Sequence, residues 1–231
     1  MPKISLLTVT HNRPDFWPWL AYNVGRLEWP GELEWVVVGS GPEDNGLVAE
    51  VEGVTRYIDA PGANIPEKRN LAMAEATGDF VAWVDDDDWQ HPQRLKVLHD
   101  LLTEASVGAA GSSFAWFVDV VKGKHQVRRF RLKRPLFNSL LVRSDVATAV
   151  PFDTAMSQGS DIEWTKRVLA AGSAVYRPPL TFLLCHNSNV GNRRTRRQFN
   201  RPLADIRQVI GRDAWGRTGM EWTALQKRIG L

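Results

Sequence analysis

Along the chain, apolar residues gather into short runs set apart by polar, glycine- and proline-containing stretches. Residues 4–10 (ISLLTVT), 34–38 (EWVVV) and 80–84 (FVAWV) are runs of strand length, the pattern of strands buried on both faces. A further strand is expected over Val54 to Ile58. Between these runs the apolar positions switch to helical spacing. Phe16, Trp17, Leu20 and Val24 line one face of a helix opened by Pro14 and closed by Gly25. A short acidic helix is expected from about Glu43 to Val51, and Glu67 to Thr77 holds good helix formers before a stop at Gly78. His91 to Ala105 forms another helix, with Leu95, Leu98, Leu101 and Leu102 in one stripe. Strands alternating with helices in this way imply right-handed βαβ units and a mostly parallel sheet.

Beyond Gly108 the rhythm changes. Phe114 to Val121 and Gln126 to Leu132, joined by Lys122-Gly123-Lys124, read as a hairpin that makes the sheet mixed. A short segment from Leu140 to Val142 and a helix over Ser144 to Ala149 follow. Ser160 to Ala171 is a helix ended by Gly172, and strands are expected at Ala174 to Tyr176 and Leu180 to Cys185.

Composition narrows the class. With 43% apolar and 24% charged residues the chain has ample material for a core and is not globally disordered. Its single cysteine, Cys185, excludes an internal disulfide framework and fits a reducing compartment. No run reaches the roughly 20 apolar residues of a membrane helix, so no integral membrane segment and a cytoplasmic location are expected. Most of the ten tryptophans are expected in the core or at interfaces. The net charge of +3 is unevenly spread: residues 191–231 hold ten Arg or Lys against three acids, a net of +7, which leaves −4 for residues 1–190. This basic tail, expected to be helical, suits an anionic partner such as a phosphate, nucleic acid or acidic lipid, or packs on an acidic body.

The chemistry concentrates at Asp85-Asp86-Asp87-Asp88, directly after the buried run 80–84. In an open α/β sheet ligands bind at the carboxyl ends of the strands, and a divalent cation relieves the repulsion among crowded acids. Asp runs also cap helices, and Asp88 is placed to cap the helix near Pro92.

Taken in order, ISLLTVTHNRP, EKRNLAMAEATGDFVAWVDDDDWQHPQRL and GSDIEW resemble the inverting glycosyltransferases of family 2, whose nucleotide-sugar-dependent fold is called GT-A. The resemblance spans about residues 3–190 and leaves the tail outside. It implies an α/β, Rossmann-like mixed and mainly parallel sheet flanked by helices. Residues 1–108 then form the nucleotide-sugar-binding half, 109–190 the acceptor and catalytic half of the same domain, and 191–231 the basic tail.

By position, the resemblance implies that Asp85 contacts the nucleotide ribose and Asp87 binds a divalent metal, with Asp86 between them in an Asp-x-Asp arrangement. Mn2+ or Mg2+ takes oxygen ligands, one or two carboxylates beside diphosphate oxygens, and polarises the departing nucleoside diphosphate. Arg69 matches a position that reaches the base or phosphates. Val9 to His11 lie where the family holds the nucleobase. The acid that commonly follows the second strand is absent: Gly39-Ser40-Gly41 leaves Ser40, with Asp44, to read the base, whose identity stays open.

Asp161 matches the catalytic base that takes the acceptor's proton. Its neighbours Ser160 and Glu163 satisfy the spacing of a capping box. His186, after the last strand, matches a position near the metal or diphosphate; its alternative is a strand-end imidazole bonded to backbone. The Arg193, Arg194, Arg196 and Arg197 cluster suits a donor diphosphate or an anionic acceptor. The activity so implied is transfer of a sugar from a nucleoside-diphosphate sugar to a hydroxyl acceptor whose identity stays open, an anionic one such as nucleic acid or a lipid-linked sugar included. The rivals are a nucleotidyltransferase and a catalytically silent nucleotide-sugar or nucleic-acid binding module.

Overall fold

The computed structural model describes residues 1–11, 13, 16–40, 56–119, 126–131, 133–176, 181–185 and 201–202. The expected helix over 43–51, His186 and the arginine cluster at 193–197 lie outside the described residues. The core is a seven-stranded sheet of β1 (Ile4–Val9), β2 (Leu33–Gly39), β3 (Arg56–Asp59), β4 (Phe80–Trp83), β6 (Ala109–Ser112), β9 (Leu141–Arg143) and β10 (Ser173–Tyr176), in the order β10-β6-β9-β4-β1-β2-β3. β4, β1, β2 and β3 run parallel, β6 and β10 pair in parallel, and β9 is antiparallel to both β4 and β6. The sheet is therefore mixed and mainly parallel, as expected.

Helices α1 (Trp17–Gly25), α2 (Ile65–Glu75), α3 (Arg94–Glu104), α4 (Ser144–Thr148) and α5 (Ser160–Ala170) accompany it. Strand alternation sorts the apolar side chains into two cores. Ile4, Leu6, Val37, Ala82 and Val84 pack with Trp17 and Leu20 of α1 and Leu95, Leu98 and Leu102 of α3. Leu7, Val36, Val38, Val81 and Trp83 pack with Ala72 and Met73 of α2 and Trp164 and Val168 of α5. Burial on both faces is why these strands read as unbroken apolar runs. Trp17, Trp35, Trp83 and Trp164 are among the largest fully buried side chains, in keeping with the core role expected of the tryptophans.

Several expectations are corrected. The hairpin β7 (Phe114–Asp119) and β8 (Gln126–Arg131) forms, but in a second, five-stranded sheet of order β12-β8-β7-β11-β5. Its other strands are β5 (Trp89–Gln90), β11 (Thr181–Cys185) and β12 (Arg201–Pro202). β12 lies within the tail expected to be helical and pairs with β8. The helix expected from His91 starts at Arg94, because Trp89 and Gln90 are drawn into pairing with β11. Asp88 does not cap it: the residue before the helix is Gln93, without a side-chain cap, and Asp88 instead accepts from the Asn138 amide. α2 begins two residues earlier than expected because Asn64 and Glu67 form a reciprocal capping box. No helix among the described residues is long and apolar enough to cross a membrane.

Candidate active site

The carboxyl ends of β1, β2 and β4 meet at one edge of the large sheet, and the amino-terminal halves of α2 and α5 approach it. At the ends of β1 and β2, Val9 stands beside Val38, and His11 Nδ1 lies 2.7 Å from the Ser40 hydroxyl. Lys68, on α2, is buried and donates to Ser40 Oγ and, at 3.0 Å, to the Thr10 carbonyl. Lys68 thereby holds the Ser40 hydroxyl in place beside the His11 imidazole. The expected base readers Val9, His11 and Ser40 thus sit together, on a cation that sequence reading missed.

The acid run at the end of β4 splits by partner. Asp86 accepts from Thr10 Oγ1 at 2.8 Å and from Arg13 Nη1 at 2.6 Å, and the same Arg13 nitrogen lies 3.1 Å from Asp87 Oδ2. Burial pushes Asp86 up to about 6, with Asp87 adding to the effect and Arg13 and Thr10 opposing it. Burial likewise pushes Asp85 up to about 7; Arg69 pulls it down, and Asp87, Asp86 and Asp161 push it further up. Beneath the run lies Arg94, fully buried. It donates to the Trp83 carbonyl at 3.0 Å, the Leu140 carbonyl at 2.9 Å and Gln90 Oε1 at 2.6 Å. Its own pKa is lowered to about 10 by burial, with Asp85 and Asp88 opposing the fall. A buried guanidinium spent on backbone carbonyls anchors the turn that presents the acids and contributes positive field below them.

Arg69 joins this run to α5. Its Nη1 donates to Ser160 Oγ at 3.1 Å, and its guanidinium lies over the ring of Phe137 at 4.4 Å, with Phe152 at 5.3 Å and Trp83 at 6.0 Å. Phe152 and Trp164 stack at 4.9 Å and complete this aromatic floor. Burial lowers the pKa of Arg69, offset by the charges of Asp85 and Asp161. Asp161 lies in the first turn of α5, where the helix dipole favours a carboxylate. The capping box expected from Ser160 and Glu163 does not form. Gly159 precedes the helix in a left-handed conformation with no side-chain cap, Ser160 is held by Arg69, and Glu163 pairs with Arg167 at 2.6 Å one turn on.

The structure therefore brings Asp85, Asp86, Asp87, Arg69 and Asp161 into one electrostatic group, with Val9, His11 and Ser40 at the neighbouring strand ends. Among the described residues no three carboxylate, imidazole or thiol groups converge on a point. Asp86 and Asp87 do converge, on Arg13 Nη1. Among the described residues the donor set is two carboxylates with no softer ligand, which fits Mg2+ or Mn2+ sharing its remaining positions with phosphate oxygens and water. Arg13, Lys68 and Arg94 were given no role at the site from sequence, although Lys68 and Arg94 lie within the stretch EKRNLAMAEATGDFVAWVDDDDWQHPQRL that carries the resemblance and Arg13 follows the first strand.

A family model described as glycosyl transferase family 2 matches residues 5–163. Solved structures of TarS from S. aureus share the fold. One gives 19% identity and a TM-score of 0.64 over 79% of this chain and 37% of that one. TarS 1–349 in complex with UDP-GlcNAc gives 18% identity and a TM-score of 0.66 over 81% of this chain and 60% of that one. The complex of TarS 1–349 with UDP gives 18% and 0.64 over 79% and 60%. These TarS chains are longer, and the alignments take in 37% to 60% of them. No curated protein matches the sequence.

Proposed function

The chain belongs to glycosyl transferase family 2, and we propose from this that it is a metal-dependent inverting glycosyltransferase. It moves a sugar from a nucleoside-diphosphate sugar to a hydroxyl acceptor. The observation that carries the reading is Arg69, which places one guanidinium within the field of both Asp85 and Asp161 while bonding Ser160, Asp161's neighbour. A donor held against the acids at the end of β4 is thereby brought to the start of α5. TarS in complex with UDP-GlcNAc, on the same fold, supports a nucleotide-sugar donor.

In this mechanism Val9, His11 and Ser40 line the base, and Lys68 holds Ser40 and His11 in register. Asp85 takes the ribose hydroxyls. Asp86 and Asp87 would hold a divalent ion, Mn2+ or Mg2+, which when bound would supply Lewis-acid stabilisation to the leaving diphosphate. Arg69 orients the first turn of α5 towards the donor. Asp161 accepts the proton of the acceptor hydroxyl as its oxygen bonds to the anomeric carbon from the face opposite the breaking sugar–phosphate bond, which inverts that centre. His186 is a second candidate for the metal or diphosphate.

The test is a panel of UDP-, GDP- and CDP-sugars incubated with the protein, with and without Mn2+ or Mg2+. Metal-dependent release of the nucleoside diphosphate from one donor is expected. Full turnover in excess chelator overturns the metal; binding without any turnover favours a silent module. Release of pyrophosphate from a nucleoside triphosphate points to a nucleotidyltransferase instead.

A further inference from the structure

Arg13 follows the end of β1, and its Nη1 bonds Asp86 Oδ1 at 2.6 Å and Asp87 Oδ2 at 3.1 Å. The arginine side chain is 20% exposed, against 6% and 12% for the two carboxylates. This is not a solvated surface pair of small consequence. Two acids so far from water need a cation, and removing one partner of a buried pair is costly. The guanidinium also lies beside the ring of Phe16, 5.8 Å from its centre. Thr10 takes the other oxygen of Asp86 at 2.8 Å, so Asp86 Oδ1 and Asp87 Oδ2 are the pair that meets on one nitrogen.

A divalent ion held by Asp86 and Asp87 draws on the carboxylate oxygens that Arg13 now occupies, and two cations cannot share that place without strong repulsion. We propose that Arg13 is a built-in counter-ion that bridges Asp86 and Asp87 in the nucleotide-free protein and competes with the divalent ion for them. When the ion arrives with the donor, Arg13 is released at the edge of the same crevice, where a guanidinium is suited to the donor's diphosphate oxygens. The acids are thus kept in place without metal, and free metal is bound poorly until a diphosphate comes with it. This rests on the reading of Asp86 and Asp87 as metal carboxylates.

The test is direct binding of Mn2+, followed by loss of the free-ion electron paramagnetic resonance signal, in wild type, Arg13→Gln and Arg13→Lys. Each is titrated with Mn2+ alone and then with UDP, GDP or CDP present. Weak Mn2+ binding by the nucleotide-free wild type is expected, tightened about tenfold or more in Arg13→Gln, which corresponds to about 1.4 kcal/mol. The gain on adding nucleoside diphosphate is expected to be smaller in Arg13→Gln than in wild type. Arg13→Lys keeps the charge, loses the planar fork and shifts the Mn2+ affinity in the same direction by less. It carries the test if Arg13→Gln lacks a cooperative thermal transition. Equal or weaker nucleotide-free Mn2+ binding by the variants overturns the competition and leaves the metal reading standing. Absence of Mn2+ binding in every protein, with and without nucleotide, overturns the metal reading itself.

Discussion

Arg69 and Asp161 are close enough in field to act on each other, yet substitution separates their tasks. In the proposed mechanism Asp161 serves proton transfer and Arg69 holds the donor against the start of α5. Asp161→Asn is expected to lower kcat by about 10²- to 10⁴-fold, the range for loss of a general base, with nucleotide affinity unchanged in a titration. Arg69→Met keeps a long side chain over Phe137 and Phe152 and removes the charge. It is expected to weaken nucleoside-diphosphate binding about tenfold or more, because buried Asp85 then loses the guanidinium charge that pulls its pKa down. Steady-state kinetics and a binding titration together check both; loss of nucleotide binding in Asp161→Asn would contradict the division. At this scale the sequence is legible where like charges crowd together, as in the carboxylate run after β4. It is least legible where a charge is buried. Lys68, Arg13 and Arg94 look like ordinary surface charges in sequence. Their significance lies in the partners that folding brings from β1, β2 and β9's neighbourhood, up to 76 positions away for the Thr10–Asp86 contact that sits among them.

Between residue and fold, α2 is the bracket of the site. The Asn64–Glu67 box starts it, Lys68 and Arg69 come from its second turn, and Asn70 pins the segment leading to α5. The Asn70 amide donates to the Phe152 carbonyl at 3.0 Å and accepts from the Phe152 N–H at 2.8 Å, while Asn64 Nδ2 donates to the Thr154 carbonyl at 3.0 Å. Asn70→Ala leaves both Phe152 groups without these partners and is expected to cost about 2 kcal/mol, measured by urea denaturation. It is also expected to lower kcat at saturating donor, since the chain entering α5 loses its tether. A stability loss with unchanged kcat would show that α5 is positioned without Asn70. The periodic elements were readable because one physical pattern decides each of them. Ala109–Ser112 was not, because Ala-Ala-Gly-Ser has little strand preference of its own; β9 and β10 on either side make it a strand. Asn64 to Pro66 fall outside the helix expected from Glu67, although proline in the first helical turn is compatible with a helix once a cap precedes it.

Across the molecule, the large sheet has one end for chemistry and the other for stability. The hairpin's departure into a second sheet was hidden in the sequence because strand patterns do not state their partners, and β11 and β12 are distant in the chain. At the end of the large sheet away from the acids, buried Glu34 accepts from Ser5 Oγ, from the Thr77 N–H and hydroxyl at 2.6 and 2.7 Å, and from the Gly78 N–H at 3.2 Å; Lys3 pairs with it at 3.1 Å. Gly78 is required there, since a Cβ would fall 2.7 Å from the Ser5 nitrogen. Burial works against the Glu34 charge, but the bonds from Ser5, Thr77 and Lys3 outweigh it and lower its pKa from 4.5 to about 2. A depressed carboxyl pKa stabilises the fold above the unfolded value and loses that contribution as pH falls through the folded one, so the window runs from about 4.5 down to about 2. The shift corresponds to about 3 kcal/mol at neutral pH. Glu34→Gln is therefore expected to be less stable than wild type by up to about that amount at pH 7, with the gap closing as the pH drops towards 2, read from urea midpoints across the range. Nucleotide affinity of the folded variant should be unchanged, because Glu34 lies at the opposite end of the sheet from Asp85 to Asp87. A gap that persists undiminished at low pH would mean that Glu34 acts through shape and packing, and not through its charge.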